Sequence, residues 1–579
     1  MNMKIVSKIY KGTAIAAAVA LAAVTSSCTD YLTIIPADKV VEENFWQTKD
    51  QVNGMLATSY LKLLDKSAIK KAIVWGELRS ESMTFNPASS GDIKNIVEAD
   101  IIDENGYCDW GIYYEAISCA NIVLESVAPV VDRDPDFSEG DRDVVMGEMY
   151  AIRALSHFYL VRTFRDIPLA MKSAKNDAEI PDYVQVHPMV ALDSIMKDLD
   201  RAEKMVMKSG AFANAQSNYG RITTNAVLAM KADVNLWRAA FAAYYEGDPE
   251  SAQYVKAGDA QMYYDKCVEN CRKVITNMDS LFVEGNKGKP AVEYAYNLIQ
   301  NTGDVKDKDA THISTAYNDI FGTKNSSESI FELQVQGDNV KNGFYNGVYE
   351  IYGSENKAGA VVVPSNFYSN FERDDLRLYS YTTVQSWGPQ SATDDICIAK
   401  YAAKGSPAAN TTSASWRKSE EWDANWIVYR RTDVLLMLAE ALVTRESAGV
   451  DDFKEAFNIV DAINRRSRFN PEEPRNPLKQ ETYMTRDKAI ELVRKERLLE
   501  LSYEGKRWYD LVRLALREKS TDPIKFVADK LDSKNNVVKT KMKSIDGLFM
   551  PIHINELRYN KNLKQNPAYD KDDSSMEMN

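Results

Sequence analysis

The sequence is poor in the groups that most enzymes use. Its four histidines, at positions 157, 187, 312 and 553 of 579 residues, share no spacing that would build a zinc site. His157 falls in helical register with Arg153 and Tyr159 and is expected to be structural. There is no Gly-x-Ser-x-Gly elbow, no phosphate-cradling Gly-rich loop and no Gly-x-Gly-x-x-Gly turn. Positive charge is also short: 71 Lys and Arg stand against 84 Asp and Glu, a net charge of −13. An acidic body lacks the footprint that a phosphate backbone needs, so no nucleic-acid partner is expected. Cysteines number six; Cys267 and Cys271 sit one helical turn apart with no further Cys or His nearby, and both read as small buried residues. Long apolar runs are missing. The unbroken run Ala14–Val24 has eleven residues, where a spanning helix takes roughly 20.

That short run has a purpose of its own. Lys4, Lys8 and Lys11 precede it and Thr25-Ser26-Ser27 come after it, the pattern of an export signal. With Cys28 next, the segment resembles the lipobox of bacterial lipoproteins, although Thr25 stands where Leu or Val is usual. The resemblance implies lipidation of Cys28, a signal peptide over residues 1–27 and a body on a tether. Five cysteines then remain, an odd number that argues against a complete disulfide framework.

Helical periodicity governs the next part of the chain. Val145, Met149, Ile152, Leu155 and Tyr159 recur every three or four residues. So do Leu192, Ile195, Leu199, Ala202 and Val206, and then Val227, Met230, Val234, Trp237 and Phe241. Further helices are expected over 48–64, 110–127, 261–277, 432–445 and 453–465. Breakers at Asp166-Ile167-Pro168, 211–220 and Gly247-Asp248-Pro249 separate them into pairs. The expected fold is mainly α, with tetratricopeptide-like helix hairpins packed against an irregular, loop-rich ligand-binding face. The stretch 285–425 supplies that face. It holds strand-like runs at 329–336 and 360–363 and many aromatics, among them Tyr345, Tyr349, Tyr352, Trp387 and Trp416. Trp110 and Trp237 are assigned to packing. The domain reading is a helical region over 28–284 and a region over 285–579 that carries the loop-rich face and closing helices.

Few constellations point to chemistry. Asp304, Asp307 and Asp309 could hold Ca²⁺, but the loop lacks the Gly and terminal Glu of an EF-hand and reads as a solvated turn. No metal or cofactor is expected. No carboxylate pair stands out as a glycosidase would require.

Several longer segments are more specific. They are Cys28-Thr29-Asp30-Tyr31-Leu32 with Phe45-Trp46; Arg153-Ala154-Leu155 through Asp166-Ile167-Pro168; and Gly220-Arg221-Ile222-Thr223. Downstream lie Tyr429-Arg430-Arg431-Thr432-Asp433 running to Glu440, then Arg494-Lys495-Glu496-Arg497 running to Glu500, and Glu504-Gly505-Lys506-Arg507-Trp508. Met550-Pro551-Ile552 and Gln565-Asn566-Pro567 close the series. In this order the chain resembles the SusD/RagB family of outer-membrane nutrient-binding lipoproteins, from Cys28 to about Tyr569. Physically, Arg494, Glu496, Arg497 and Glu500 share one helix and could pair at i, i+3 and i, i+4, which makes this motif a scaffold.

The resemblance implies a lipid-anchored protein at the outer membrane, facing the cell surface. It would act without catalysis, capturing oligo- or polysaccharide and passing it to a TonB-dependent, SusC-like barrel. Candidate glycan contacts are Tyr345, Tyr349 and Tyr352, then Phe85 and Asn86 in the loop after Arg79 and Glu81, then Trp387 and Trp416. Alternatives are capture of peptide by the same arrangement and a surface glycoside hydrolase.

Overall fold

The computed structural model describes residues 45–174, 183–287, 295–301, 314–335, 347–354, 357–385, 395–401, 424–529 and 540–570. Its chain is mainly helical and divides into two compact units. One draws on the chain up to Ala68, on Ile102–Met207 and on the chain from Phe549 onward. The other draws on Ile69–Ile101 and Lys208–Leu548.

The first unit stacks helices α1 (Lys49–Leu64), α2 (Gly111–Ser126), α3 (Glu139–Phe164) and α4 (Pro188–Met205). Capping boxes start two of them, Thr48 with Gln51 on α1 and Ser138 with Asp141 on α3. α1 packs on α2, α2 on α3 and α3 on α4. The stripe Val145, Met149, Ile152 and Leu155 is buried in that stack, as the periodicity predicts. Arg165, at φ 65°, ends α3. The motif arginine Arg153 is buried and forms a two-bond ion pair with Asp198, each bond 2.7 Å long, while its Nη1 donates to Asn121 Oδ1 at 2.7 Å. His157 is structural, as expected. It is buried, with Nδ1 3.1 Å from the Arg153 carbonyl, and burial together with the Arg153 charge brings its pKa down to about 3. Trp110 is buried, with its ring edge-on to Phe164.

The second unit carries α5 (Thr224–Tyr245), α6 (Asp259–Gly285), α7 (Arg431–Thr444), α8 (Val450–Arg466), α9 (Arg486–Leu501) and α10 (Arg507–Arg517). Packing runs from α5 to α6, α7, α8 and α9 in turn, and α10 lies on α5. Trp237 is fully buried between these layers. The strands of this unit include β1 (Thr84–Phe85), β2 (Ser329–Leu333), β3 (Val361–Val362), β4 (Thr382–Gln385), β5 (Asp395–Ile398) and β6 (Trp426–Arg430), of which β2 to β5 come from the loop-rich stretch. These pair antiparallel as β1 with β3, β2 with β6 and β4 with β5. The strands expected at 329–336 and 360–363 are therefore present, shorter than their apolar runs. Cys108, Cys119, Cys267 and Cys271 are buried free thiols, and burial pushes Cys119 up to about 11.

Candidate functional site

Two features of the second unit compete for attention: a buried ion network and a loop edge. The network gathers the motif residues. Glu500 lies at its centre with no exposed surface. Its Oε1 accepts from Arg430 at 2.9 Å and Arg466 at 2.7 Å, and its Oε2 from Arg377 at 3.1 Å and the Tyr317 hydroxyl at 2.8 Å. Glu504 accepts from Arg430 and, at 2.6 Å, from Lys400. Arg377 also holds Glu496 and Asp375, and Arg466 holds Glu328. These guanidiniums hold Glu500 and Glu504 at about 2 against the desolvation that would raise them. Burial brings the Lys400 amine down to about 8.

The motif is a scaffold, but not by the pairing expected along one helix. Glu496 and Glu500 take cations from Arg377, Arg430 and Arg466, and Arg497 takes Asp510. The cause is burial. α9 is covered by its neighbours over this stretch, so its charges reach across the packing rather than along a solvated face.

The loop edge begins beside the same motif. Glu77, buried, accepts the backbone N–H groups of Tyr503 at 2.9 Å, Lys506 at 3.1 Å and Arg507 at 3.3 Å. This fixes the turn between α9 and α10, where Tyr503 and Gly505 adopt φ of 66° and 68°. A Cβ on Gly76 would lie 1.7 Å from the Gly505 oxygen, so the two backbones touch and only glycine fits. Arg79 donates to the carbonyls of Gly547 and Leu548 at 2.6 and 2.8 Å and lies 4.4 Å from the centre of the Trp508 ring. Glu81 pairs with Arg507 at 2.5 Å. Arg79 and Glu81 thus anchor the chain just before it enters β1.

In β1, Thr84 pairs with Val362 and Phe85 with Val361, and the Asn86 N–H donates to Ala360 at 2.9 Å. Asn86 Oδ1 accepts the Ala88 N–H at 3.0 Å and makes a tight turn, leaving its Nδ2 without a hydrogen bond among the described residues. Phe85 is half-buried, with Lys94 Nζ 5.8 Å from its ring centre, and Pro87, Ala88 and Ser90 are exposed. Helix Gly347–Tyr352 joins this edge through Glu350, whose carbonyl accepts the Ala360 N–H at 3.0 Å. Strand β5 lies beside β3.

The structure therefore brings together two of the candidate groups, Phe85–Asn86 and Tyr349–Tyr352, but turns the second inward. Tyr349 is 3% exposed and Tyr352 is 1% exposed. The Tyr352 hydroxyl donates to the Tyr503 carbonyl at 2.8 Å. Neither ring offers a face to a sugar, which corrects the expectation for both. Tyr345, Trp387, Trp416, Cys28 and the Asp304–Asp309 turn lie outside the described residues. Lys94 was not foreseen; its place over Phe85 comes from a turn and a short helix that no sequence spacing reveals. Among the described residues no group of His, Cys, Asp and Glu could hold a metal ion.

Comparison with known proteins assigns this architecture. A model described as "SusD family" matches residues 378–569, and one described as "Starch-binding associating with outer membrane" matches residues 30–236. The chain belongs to the SusD family. In this SusD chain the network residues Lys400, Arg430, Arg466, Glu496, Glu500 and Glu504 all fall within the first of those stretches. The SusD-like protein P38 of Formosa agariphila is 22% identical over 517 residues, covering 85% of this chain and 88% of that protein. A SusD superfamily structure from Parabacteroides distasonis superposes with a TM-score of 0.59 at 21% identity, covering 90% of this chain and 99% of that one. A structure described as a laminarin-binding SusD-like protein superposes at 0.62 with 18% identity, covering 90% of this chain and 100% of that one. The SusD family is one of binding proteins associated with the outer membrane.

Proposed function

We propose that this chain is a non-enzymatic, glycan-binding lipoprotein of the outer membrane, anchored through Cys28 and facing the cell surface. It captures oligo- or polysaccharide and delivers it to a TonB-dependent barrel. The observation that carries the reading is the loop edge at Phe85 and Asn86. A half-buried phenyl ring there stands next to Asn86, which is 6% exposed and whose Nδ2 makes no hydrogen bond among the described residues. A sugar presents an apolar C–H face and a rim of hydroxyls, and a ring with an adjacent donor matches both. The likeness to a laminarin-binding SusD-like protein supports a glycan over a peptide.

The experiment is retention on affinity gels cast with plant, host and microbial polysaccharides. At least one should slow the protein, and none should release reducing ends when incubated with it. No retention by any polysaccharide, with binding of peptides instead, would move the reading to peptide capture; released reducing ends would overturn the non-enzymatic part. Replacing Cys28 with Ser should shift the protein from the membrane fraction to the soluble one, without changing retention on the gel.

A further inference from the structure

A pocket between α7, α9 and α10 shares Arg507 with the Glu81 anchor of the loop edge but is lined by neither Phe85 nor Asn86. Five arginines line it, Arg494, Arg497, Arg507, Arg513 and Arg517, with only two carboxylates, Glu440 and Asp510. The ion pairs leave one of these charges over. Asp510 is shared by Arg497 at 2.8 Å and Arg513 at 2.7 Å, and Glu440 is held by Arg513 at 2.8 Å. Arg507 turns to Glu81 and Arg517 to the exposed Glu518. Arg494 makes no hydrogen bond and no ion pair among the described residues, although it is half-buried. Burial and then the charges of Arg507 and Arg517 pull its pKa below the ordinary arginine range, against the weaker pulls of Glu81 and Asp510. In a body whose net charge is −13, this is a local excess of positive charge on a fork of donors built for planar or tetrahedral oxyanions.

The space is small. Room for the centres of water-sized groups amounts to about 20 Å³, and one water takes roughly 10–15 Å³ on that measure. It seats one or two oxygens of an oxyanion, whose remaining oxygens would stay at the mouth in solvent, and it admits no sugar ring.

We propose that this pocket binds a small inorganic oxyanion, phosphate or sulfate, with Arg494 as its principal donor. The site is distinct from the Phe85–Asn86 surface and does not depend on what that surface binds. Bound anion would neutralise the one guanidinium of the pocket that the fold leaves unpaired among the described residues, and so stabilise the helices that carry it.

The test is thermal unfolding of the full chain in chloride, with phosphate or sulfate added at low millimolar concentration and ionic strength held constant. The wild-type Tm should rise saturably, by at least about 1 °C. Arg494→Gln should abolish the saturable rise, and in chloride alone its Tm should not fall below wild type, because a repelled charge has been removed. Arg494→Lys keeps the charge but loses the fork, and should need several-fold more anion for half the rise. General salting-out by sulfate would appear equally in all three proteins and does not saturate. No saturable rise in the wild type, an equal rise in Arg494→Gln, or unfolding of Arg494→Gln in chloride would each overturn the proposal.

Discussion

The network around Glu500 and the edge at Phe85 belong to the same unit, yet they obey opposite rules. In the network nearly every polar group is spent. Four cations, Arg377, Arg430, Arg466 and Lys400, meet Glu328, Asp375, Glu496, Glu500 and Glu504 away from water. At the edge, groups are left over: a ring partly open to solvent, a buried amide with no partner for its N–H groups among the described residues, and exposed turn residues. Burial makes the first arrangement intolerant of change, since removing one partner strands the others. Exposure leaves the second free to vary. The motif residues of the network therefore hold the structure, and the surface that would select a ligand lies outside that network.

That contrast can be broken by attacking each region. The largest effect is expected from acid. Glu500 and Glu504 sit at about 2 in the folded chain against an ordinary 4.5, and Asp510 at about 2 against 3.8. Their folded values are depressed, so their stabilisation is complete above about pH 4.5 and is lost as pH falls towards 2. Each of the two glutamates contributes up to roughly 3 kcal/mol. Urea midpoints taken between pH 5 and 2.5 should fall steeply, and a flat profile would mean that the network is not ionised. Next comes Glu500→Gln, which leaves Arg430, Arg466 and Arg377 undercompensated and should cost about 3–5 kcal/mol by denaturant unfolding. Tyr352→Ala should lose a similar amount, about 3–5 kcal/mol, because it opens a cavity. Tyr352→Phe should lose only about 1 kcal/mol for the bond to Tyr503 and leave glycan retention unchanged. Weakened retention by Tyr352→Phe at normal stability would return that tyrosine to the binding face.

The helices were legible because burial imposes a period. The stripes on α3, α4 and α5 needed no tertiary information, and the ends of α7 and α8 fell within a few residues of their expected places. The role of the Glu496–Glu500 motif as scaffold was legible too, but its partners were not. Arg377 lies 119 positions from Glu496 and Glu328 lies 138 from Arg466, and sequence spacing carries no trace of such meetings. Tyr349 and Tyr352 misled for a related reason. Aromatic density marks both a binding face and a small core under a loop, and only the direction in which helix Gly347–Tyr352 turns decides between them. Phe85 and Asn86 were found through family resemblance, while the pairing of β1 with β3 that presents them joins residues far apart in the chain.

On the proposed reading the ligand is taken at the loop edge and not at the buried ion network. Phe85→Ala tests it most directly, with affinity measured by calorimetry for whichever polysaccharide retains the wild-type protein and Tm measured alongside. Affinity should be about fivefold to tenfold weaker, the worth of one stacked ring, with Tm changed by no more than about 2 °C. Unchanged affinity in a folded Phe85→Ala protein would contradict it.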